Sequence, residues 1–482
     1  MNRLCAHQLG LALLLVGCEF EDKIHHTNST AEGADAGDKP GPEGGAGASD
    51  PAQNEGSEES GGQPGEADPD DSGFSWVTTP TLMPRSIHAS WQNDPGTTLT
   101  FVWTTTESQD ESYVPRVWIA TVDEYAALSD KRVLPLDDTH VFEGESATYL
   151  ESLFGIPTSD ELFIVHQVEV TGLSPSSSYV YKVGSWEGSD PEGLLIAPNL
   201  SDARVMRTGP ARGSREKFAF VMAGDSRGGT QEILQHIERL ADIDVVGWFY
   251  NGDMTDGGTQ LEWDSWFSAM APLLERRPLM SVQGNHEIFA DLYYMQMAMP
   301  LAPELDAEVR EHAWSLTIGN VHIIGLDSNT QEMTKAQVPW LDAELARAKA
   351  DPNVDWVVTM CHHPPYSASN HGSTDRLQEH FVPVFEKHGL DLSFSGHDHN
   401  YERTFPIRGE QKVAEGEGVT YVVAGAFFSP PYSNGTDWWT ATSAHGNKRN
   451  YVVVEVEGKK LTFTAYSGDG NSVLDQHTLT KP

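Results

Sequence analysis

Five short apolar runs after residue 217 each break off at Asp, Asn or His. "FAFVMAGD" ends at Asp225, "DVVGWFYNGD" at Asp253, "PLMSVQGNHE" at Asn285 and His286, "DWVVTMCHH" at His362, and "LDLSFSGHDH" at His397 and His399. Their length and β-branched or aromatic content suit buried strands. Helical stretches separate them, as in "TQEILQHIERLAD", where Ile233, Leu234, Ile237 and Leu240 have helical spacing. Strands that alternate with helices form layered α/β sheets, and ligands of such sheets sit beyond the carboxyl ends of the strands. One sheet edge therefore collects all of these polar ends.

Each piece alone is a weak signal, because a Gly-Asp pair is usually a turn. Together, Asp225, Asp253, Asn285, His362, His397 and His399 offer carboxylate oxygens, one amide oxygen and three imidazoles. That mixture suits two closely spaced transition metals, which a carboxylate can bridge, and the lack of cysteine donors argues against a structural zinc site. In "CHHPPY" two histidines compete for one ligand position. His362 fits the strand end best, and His363 is expected to turn to the opposite side of the chain.

The rest of the chain bounds the context. Its 482 residues allow two or three domains, and 38% hydrophobic content is enough for real cores. A formal charge of −40 repels a phosphate backbone, so no nucleic-acid partner is expected. "MNRLCAHQLGLALLLVGC" has an early Arg, an apolar run too short to span a bilayer, and a small residue before Cys18. It looks like a bacterial lipoprotein signal over 1–18, with Cys18 as the lipidated residue; an ordinary secretory signal is the alternative. Either way the expectation is an exported protein, lipid-anchored to the cell envelope on its periplasmic or cell-surface face. Residues 19–73, rich in Gly, Pro, Ser and acids, cannot bury a core and read as a disordered acidic tether.

Cys361 is the only cysteine outside the leader, so no internal disulfide is expected, and its apolar setting suits a small buried side chain. Residues 74–209 read as an all-β module with strands such as "TTLTFVWTTT", "RVWIATV" and "FIVHQVEV", the last carrying His166 as a packed or solvent-facing residue. "VEVTGLSPSSSYVYKVG" resembles the late strands of a fibronectin type III domain. The closing "YVVVEVEGKKLTFTAYSGDGNSVLDQHTL" alternates like an antiparallel meander and is expected to complete the second sheet of the 215–482 domain.

"GDSRGG", "GDMTD", "GNHE", "HHPPYS" and "GHDHNYER", in this order, resemble the calcineurin-like metallophosphoesterases; with the β-module in front, the chain is most similar to purple acid phosphatases. The resemblance implies a four-layer α/β/β/α sandwich with two divalent or trivalent transition metals, drawn from Fe, Zn or Mn. Asp225, Asp253 and His399 would hold the first; Asp253, Asn285, His362 and His397 the second. A hydroxide between the ions would attack phosphorus in line. His286 would hold the substrate phosphate or protonate the leaving oxygen, and His371 would face the substrate. Glu287 and Asp398 read as residues that orient ligands.

The sequence departs from the family at the first metal. Arg227 stands where many members carry a histidine ligand, and Asp256 stands where purple acid phosphatases carry the tyrosine that gives their colour. Asp256 would bind the metal itself, or water would fill the gap, or the position would be weaker. Arg227 would clamp a phosphate oxygen, or pair with a surface carboxylate. The expected activity is hydrolysis of a small phosphate monoester in the manner of acid phosphatases; a phosphodiesterase or nucleotidase, or a non-catalytic surface protein, are the alternatives.

Overall fold

The computed structural model describes residues 83–482 apart from 107–113, 132–133, 154–155, 186–193, 196–198, 228–229, 288–291, 308 and 445–447. The expected leader, Cys18 and the acidic tether lie outside the described residues.

The first part of the described chain is all β apart from one short helix, Val122–Ala127. An antiparallel sheet runs in the order Arg85–Ser90, Leu99–Thr106, Ile156–Val170 and Glu145–Leu153. A second sheet is built around Ser178–Ser185 and Arg116–Thr121. Phe101, Trp103, Val117, Ile119, Tyr181 and Val183 fill one core between them.

After residue 217 two larger sheets follow. In the six-stranded one, Leu279–Ser281, Trp248–Tyr250 and Phe218–Ala223 are parallel, and the C-terminal meander is added antiparallel through Asn450–Glu457. The meander thus extends the sheet of Phe218–Ala223, the first of the two and not the second. Trp248–Tyr250 occupies one side of Phe218–Ala223, and its other ladder edge was free to take the hairpin. In the seven-stranded sheet, Val321–Leu326, Trp356–Cys361, Leu392–Ser395 and Thr420–Ala424 run parallel.

Alternation along these strands makes the layers. Val358 and Met360 join Phe220, Met222 and Phe463 of the other sheet in the core between the sheets, whereas Val357 and Cys361 turn outward onto Leu341, Leu345 and Phe385 of the covering helices. Helices Thr230–Ala241 and Gln260–Leu274 cover the six-stranded sheet, giving four layers. Ile233, Ile237 and Leu240 face inward as their spacing predicts, but Leu234 is half exposed. Fully burying such side chains contributes about 1.5–3 kcal/mol each, which is what holds the covering helices in place.

Candidate metal centre

The carboxyl ends of the parallel strands of both sheets meet at one edge. Ala223, Tyr250 and Ser281 close three strands of one sheet and lead to Asp225, Asp253 and Asn285; Cys361 and Ser395 close two strands of the other and lead to His362 and His397. Asp225, Asp253 and His397 all have left-handed backbone, with φ of 64°, 56° and 66°. A non-glycine residue adopts that region at a cost, and three such residues together show turns held in place by their surroundings. Two glycines allow the close approach. A Cβ on Gly284 would lie 2.1 Å from Asp253 Oδ1, and one on Gly396 would lie 2.2 Å from Asp225 Oδ2.

The turn after Asp253 is fastened at both ends. Glu287, fully buried, accepts the N–H groups of Asp253 (2.9 Å), Gly284 (2.9 Å) and Thr255 (3.0 Å). Burial and the nearby Asp253 charge push its carboxyl up to about 7, against those N–H donors. Further on, Thr259 and Glu262 cap each other at the start of Gln260–Leu274, and Glu262 also accepts from Gly257 (3.1 Å).

His362 donates from Nδ1 to the carbonyl of Asn251 (2.8 Å), which leaves Nε2 with a lone pair in the neutral ring. That Nε2 faces Asn285 Oδ1 at 2.9 Å, His397 Nδ1 at 3.2 Å and Asp253 Oδ1 at 3.3 Å; Asn285 Oδ1 is also 3.0 Å from His397 Nδ1. Acceptors aimed at one point repel unless a cation stands among them. Without a metal, a proton on His362 takes that part: burial pushes its imidazole down, but the carboxylates of Asp253 and Asp225 more than reverse this, to about 9. Asp253 answers in kind, since burial raises it and the His362 and His286 imidazoles hold it well below the usual carboxylate range. Carboxylate, amide oxygen and two imidazoles at these separations fit a transition-metal ion.

Asp225 lies beside this group. Both its oxygens accept the His397 N–H (2.9 and 3.0 Å), and Oδ1 is 3.6 Å from His399 Nε2. Burial, reinforced by Asp253, raises its carboxyl well above the usual range, while His362 opposes the shift. His399 donates from Nδ1 to the Pro430 carbonyl at 2.9 Å, and burial pushes its imidazole down to about 4. A carbonyl only accepts, so Nδ1 carries the proton and Nε2 is free to bind a cation.

The remaining sequence-derived residues ring this centre. His286 Nδ1 binds the Asp256 carbonyl (2.7 Å), and its Nε2 is 3.9 Å from Asp253 Oδ2. The His371 ring lies 4.4 Å from that of His397, and the His371 backbone N–H donates to Asp398 (2.9 Å). Arg227 does not point into the donor group; it pairs with Asp256 through Nη2 (2.9 Å) and Nε (3.1 Å). Asp256 is correspondingly placed at the rim, its side chain 60% exposed, and is not brought among the converging donors. His363 does not turn away as expected. Its ring packs 4.3 Å from that of His397, because its N–H and Nδ1 are both taken by the buried Ser328 hydroxyl.

Tyr432 escaped the sequence reading as an individual residue. It stacks on His399 with centroids 4.1 Å apart and planes 10° apart, and its N–H donates to the His399 carbonyl. The only signal for it was the aromatic loop "GAFFSPPYSNGTDWW".

Residues 218–401 match the calcineurin-like phosphoesterase family, and residues 84–205 match the N-terminal domain of purple acid phosphatases. With this fold and this strand-end centre, the chain carries a calcineurin-like phosphoesterase domain behind a purple acid phosphatase N-terminal domain, and it is a phosphoester hydrolase. Its similar proteins are purple acid phosphatases, a family that implies a dinuclear metal centre. Purple acid phosphatase 18 of Arabidopsis thaliana is 25% identical, over 69% of this chain and 68% of its own. Acid phosphatase type 7 of Homo sapiens is also 25% identical, over 68% and 72%. The purple acid phosphatase of yellow lupin (Lupinus luteus) seeds shares the fold with a TM-score of 0.65 at 18% identity, over 83% of this chain and 74% of that one.

Proposed function

We propose that the protein is a phosphomonoesterase of the acid phosphatase kind, using two transition-metal ions. The observation that carries this reading is the convergence of Asn285 Oδ1, His397 Nδ1 and Asp253 Oδ1 on His362 Nε2, at 2.9, 3.2 and 3.3 Å, beside a second group formed by Asp225 and His399. Asp253 would be the carboxylate shared by both positions. When bound, the ions supply an acidified water and neutralise charge on the phosphoryl oxygens.

The chain's own residues do the rest. His286 is fixed through Nδ1 on the Asp256 carbonyl, which leaves Nε2 facing the centre as the atom that holds or passes a proton to the leaving oxygen. His371, whose backbone N–H donates to Asp398 and whose ring lies beside that of His397, orients the ester. Arg227, paired with Asp256 at the rim, would have to leave that carboxylate to clamp a phosphate oxygen. The relatives named acid phosphatases support a monoester substrate.

The test compares an aryl phosphate monoester with its diester, on protein stripped of metal and then resupplied with Zn, Mn or Fe. Metal-restored hydrolysis that favours the monoester is the expected result. Preference for the diester overturns the monoester assignment, and hydrolysis indifferent to metal overturns the centre. We also propose export and anchoring through Cys18, supported by the apolar leader before it; Cys18→Ala should then shed the protein from the membrane fraction.

A further inference from the structure

The loop "GAFFSPPYSNGTDWW" ends in two adjacent tryptophans that the fold treats differently. Trp439 is pinned, donating from Nε1 to Oε1 of the buried Glu402 (3.1 Å). Trp438 turns outward and is 39% exposed. Its plane is fixed all the same, because it packs edge-on against Trp439 (centroids 5.5 Å apart, planes at 81°) and Tyr366 (6.4 Å, 80°).

A lone exposed apolar side chain is ordinary. What distinguishes Trp438 is its connection to the metal centre. Residues 432–438 run beside residues 366–371: the Gly435 N–H donates to the Ala368 carbonyl (2.9 Å), and Ser369 Oγ donates to the Ser433 carbonyl (3.0 Å). At the inner end Tyr432 stacks on His399 and meets the His371 ring at 5.4 Å; at the outer end stand Tyr366 and Trp438. Glu402 fastens the two segments, since it accepts the Ala368 N–H (2.8 Å) as well as the Trp439 indole. Asn370, Ser433, Gly435 and Thr436 lie exposed between the two ends.

The composition of this surface narrows its occupant. In a chain of net charge −40, neither 363–374 nor 425–444 contains Lys or Arg, and Asp437 is their one carboxylate. The further phosphates of a polyphosphate would find no fixed cation on either segment. Tyr, Trp, Ser, Asn and Gly are instead the residues of adaptable binding loops: rings give contact area at little entropic cost, and hydroxyls and amides give hydrogen bonds. A neutral leaving group with many hydroxyls and apolar C–H faces, which is a sugar, meets both. The segments run side by side over five residues or more, at up to about 3.5 Å per residue, a span that several linked sugar rings fill and one does not.

We propose that Trp438 is the outer platform of a leaving-group subsite, and that the phosphate this centre removes is carried on an oligosaccharide lying along residues 369–370 and 433–436. The proposal rests on the phosphomonoesterase reading above and names a substrate class for it.

The test measures steady-state hydrolysis, by protein resupplied with metal, of an aryl phosphate, glucose 6-phosphate, and maltotriose, cellotriose and chitotriose each phosphorylated on the primary hydroxyl of one end ring. At least one trisaccharide phosphate should exceed glucose 6-phosphate about tenfold or more in kcat/KM, chiefly through KM. Trp438→Ala should remove that gain and Trp438→Phe should keep most of it, with the aryl phosphate, too short to reach the indole, turned over as before. The same trisaccharide without its phosphate should give saturation-transfer NMR signals on metal-free wild type that are lost in Trp438→Ala. Trisaccharide phosphates no better than glucose 6-phosphate overturn the proposal, as does a gain or a signal that survives Trp438→Ala, or an equal loss on the aryl phosphate. A gain dependent on Trp438 with a phosphopeptide or a nucleoside triphosphate, and with no sugar, overturns the oligosaccharide class. Failure to hydrolyse any of the monoesters overturns the phosphomonoesterase reading and this proposal with it.

Discussion

His166 and His362 are the same residue type, both buried, and their surroundings drive them in opposite directions. His166 sits in the N-terminal sheets between the hydroxyls of Thr105 (2.9 Å) and Ser146 (2.7 Å), and burial pushes it down to about 3. His362 sits at a strand end among Asp253, Asp225 and Asn285 and is pushed up to about 9. Burial alone makes a neutral packing residue. What makes a site is burial combined with uncompensated negative charge and acceptors aimed at one point. That contrast can be broken by experiment from either end.

The largest effect is expected at the shared ligand. Asp253→Ala should lower kcat by about 10³-fold or more and strip bound metal, since it removes a donor from both positions. Full activity in this variant would dismantle the site assignment. His286→Ala should cost about 10²-fold in kcat with KM and metal content little changed, the pattern of a lost proton donor. A loss carried by KM alone would instead make His286 a binding residue. His371→Ala should cost about tenfold, read chiefly in KM, because a hydrogen-bonding contact and not the centre is removed. Iron-loaded wild-type protein should show no intense visible charge-transfer band, since Asp256 and not tyrosine follows Asp253 and it is held by Arg227. A purple protein would refute that placement.

The contrast also marks what could be read in the sequence. Asp225, Asp253, Asn285, His362 and His397 were legible because each ends a β-type run, and the ends of parallel strands in adjoining sheets lie at one edge. Pairing of Arg227 with a carboxylate was one of its two readings, but Asp256 as the partner was not legible, because the two are 29 residues apart and only folding of two turns onto each other brings them together. Ser328 likewise captures His363 across 35 residues, overriding the alternation that would turn it outward. Leu234 had the right spacing and still faces water, since a helix packed on one side has room for only part of its apolar positions. The meander's pairing rule was legible and its sheet was not; nothing local states which strand edge is free.

The smallest effect concerns stability, at the other end of the comparison. His166 titrates near 3 in the folded protein and near its ordinary 6.5 when unfolded, so between those values the unfolded chain binds the extra proton. The stability it contributes is complete above pH 6.5 and falls as pH drops toward 3, by up to about 1.4 kcal/mol per unit. His166→Gln keeps a hydrogen-bonding side chain between Thr105 and Ser146 but cannot take up that proton. It should be less stable than the wild type at pH 7.5 by about 1 kcal/mol, for imperfect hydrogen bonds, and should lose less on acidification. Thermal melts at pH 7.5, 6 and 5 would therefore show the gap nearly closed at pH 6 and the order reversed at pH 5, with the variant the more stable of the two there and its hydrolysis unchanged. A gap that stays constant across the three would mean that His166 is not held neutral by burial. A fall in hydrolysis would mean that the N-terminal sheets and the metal centre are coupled more closely than this division between packing and reacting histidines allows.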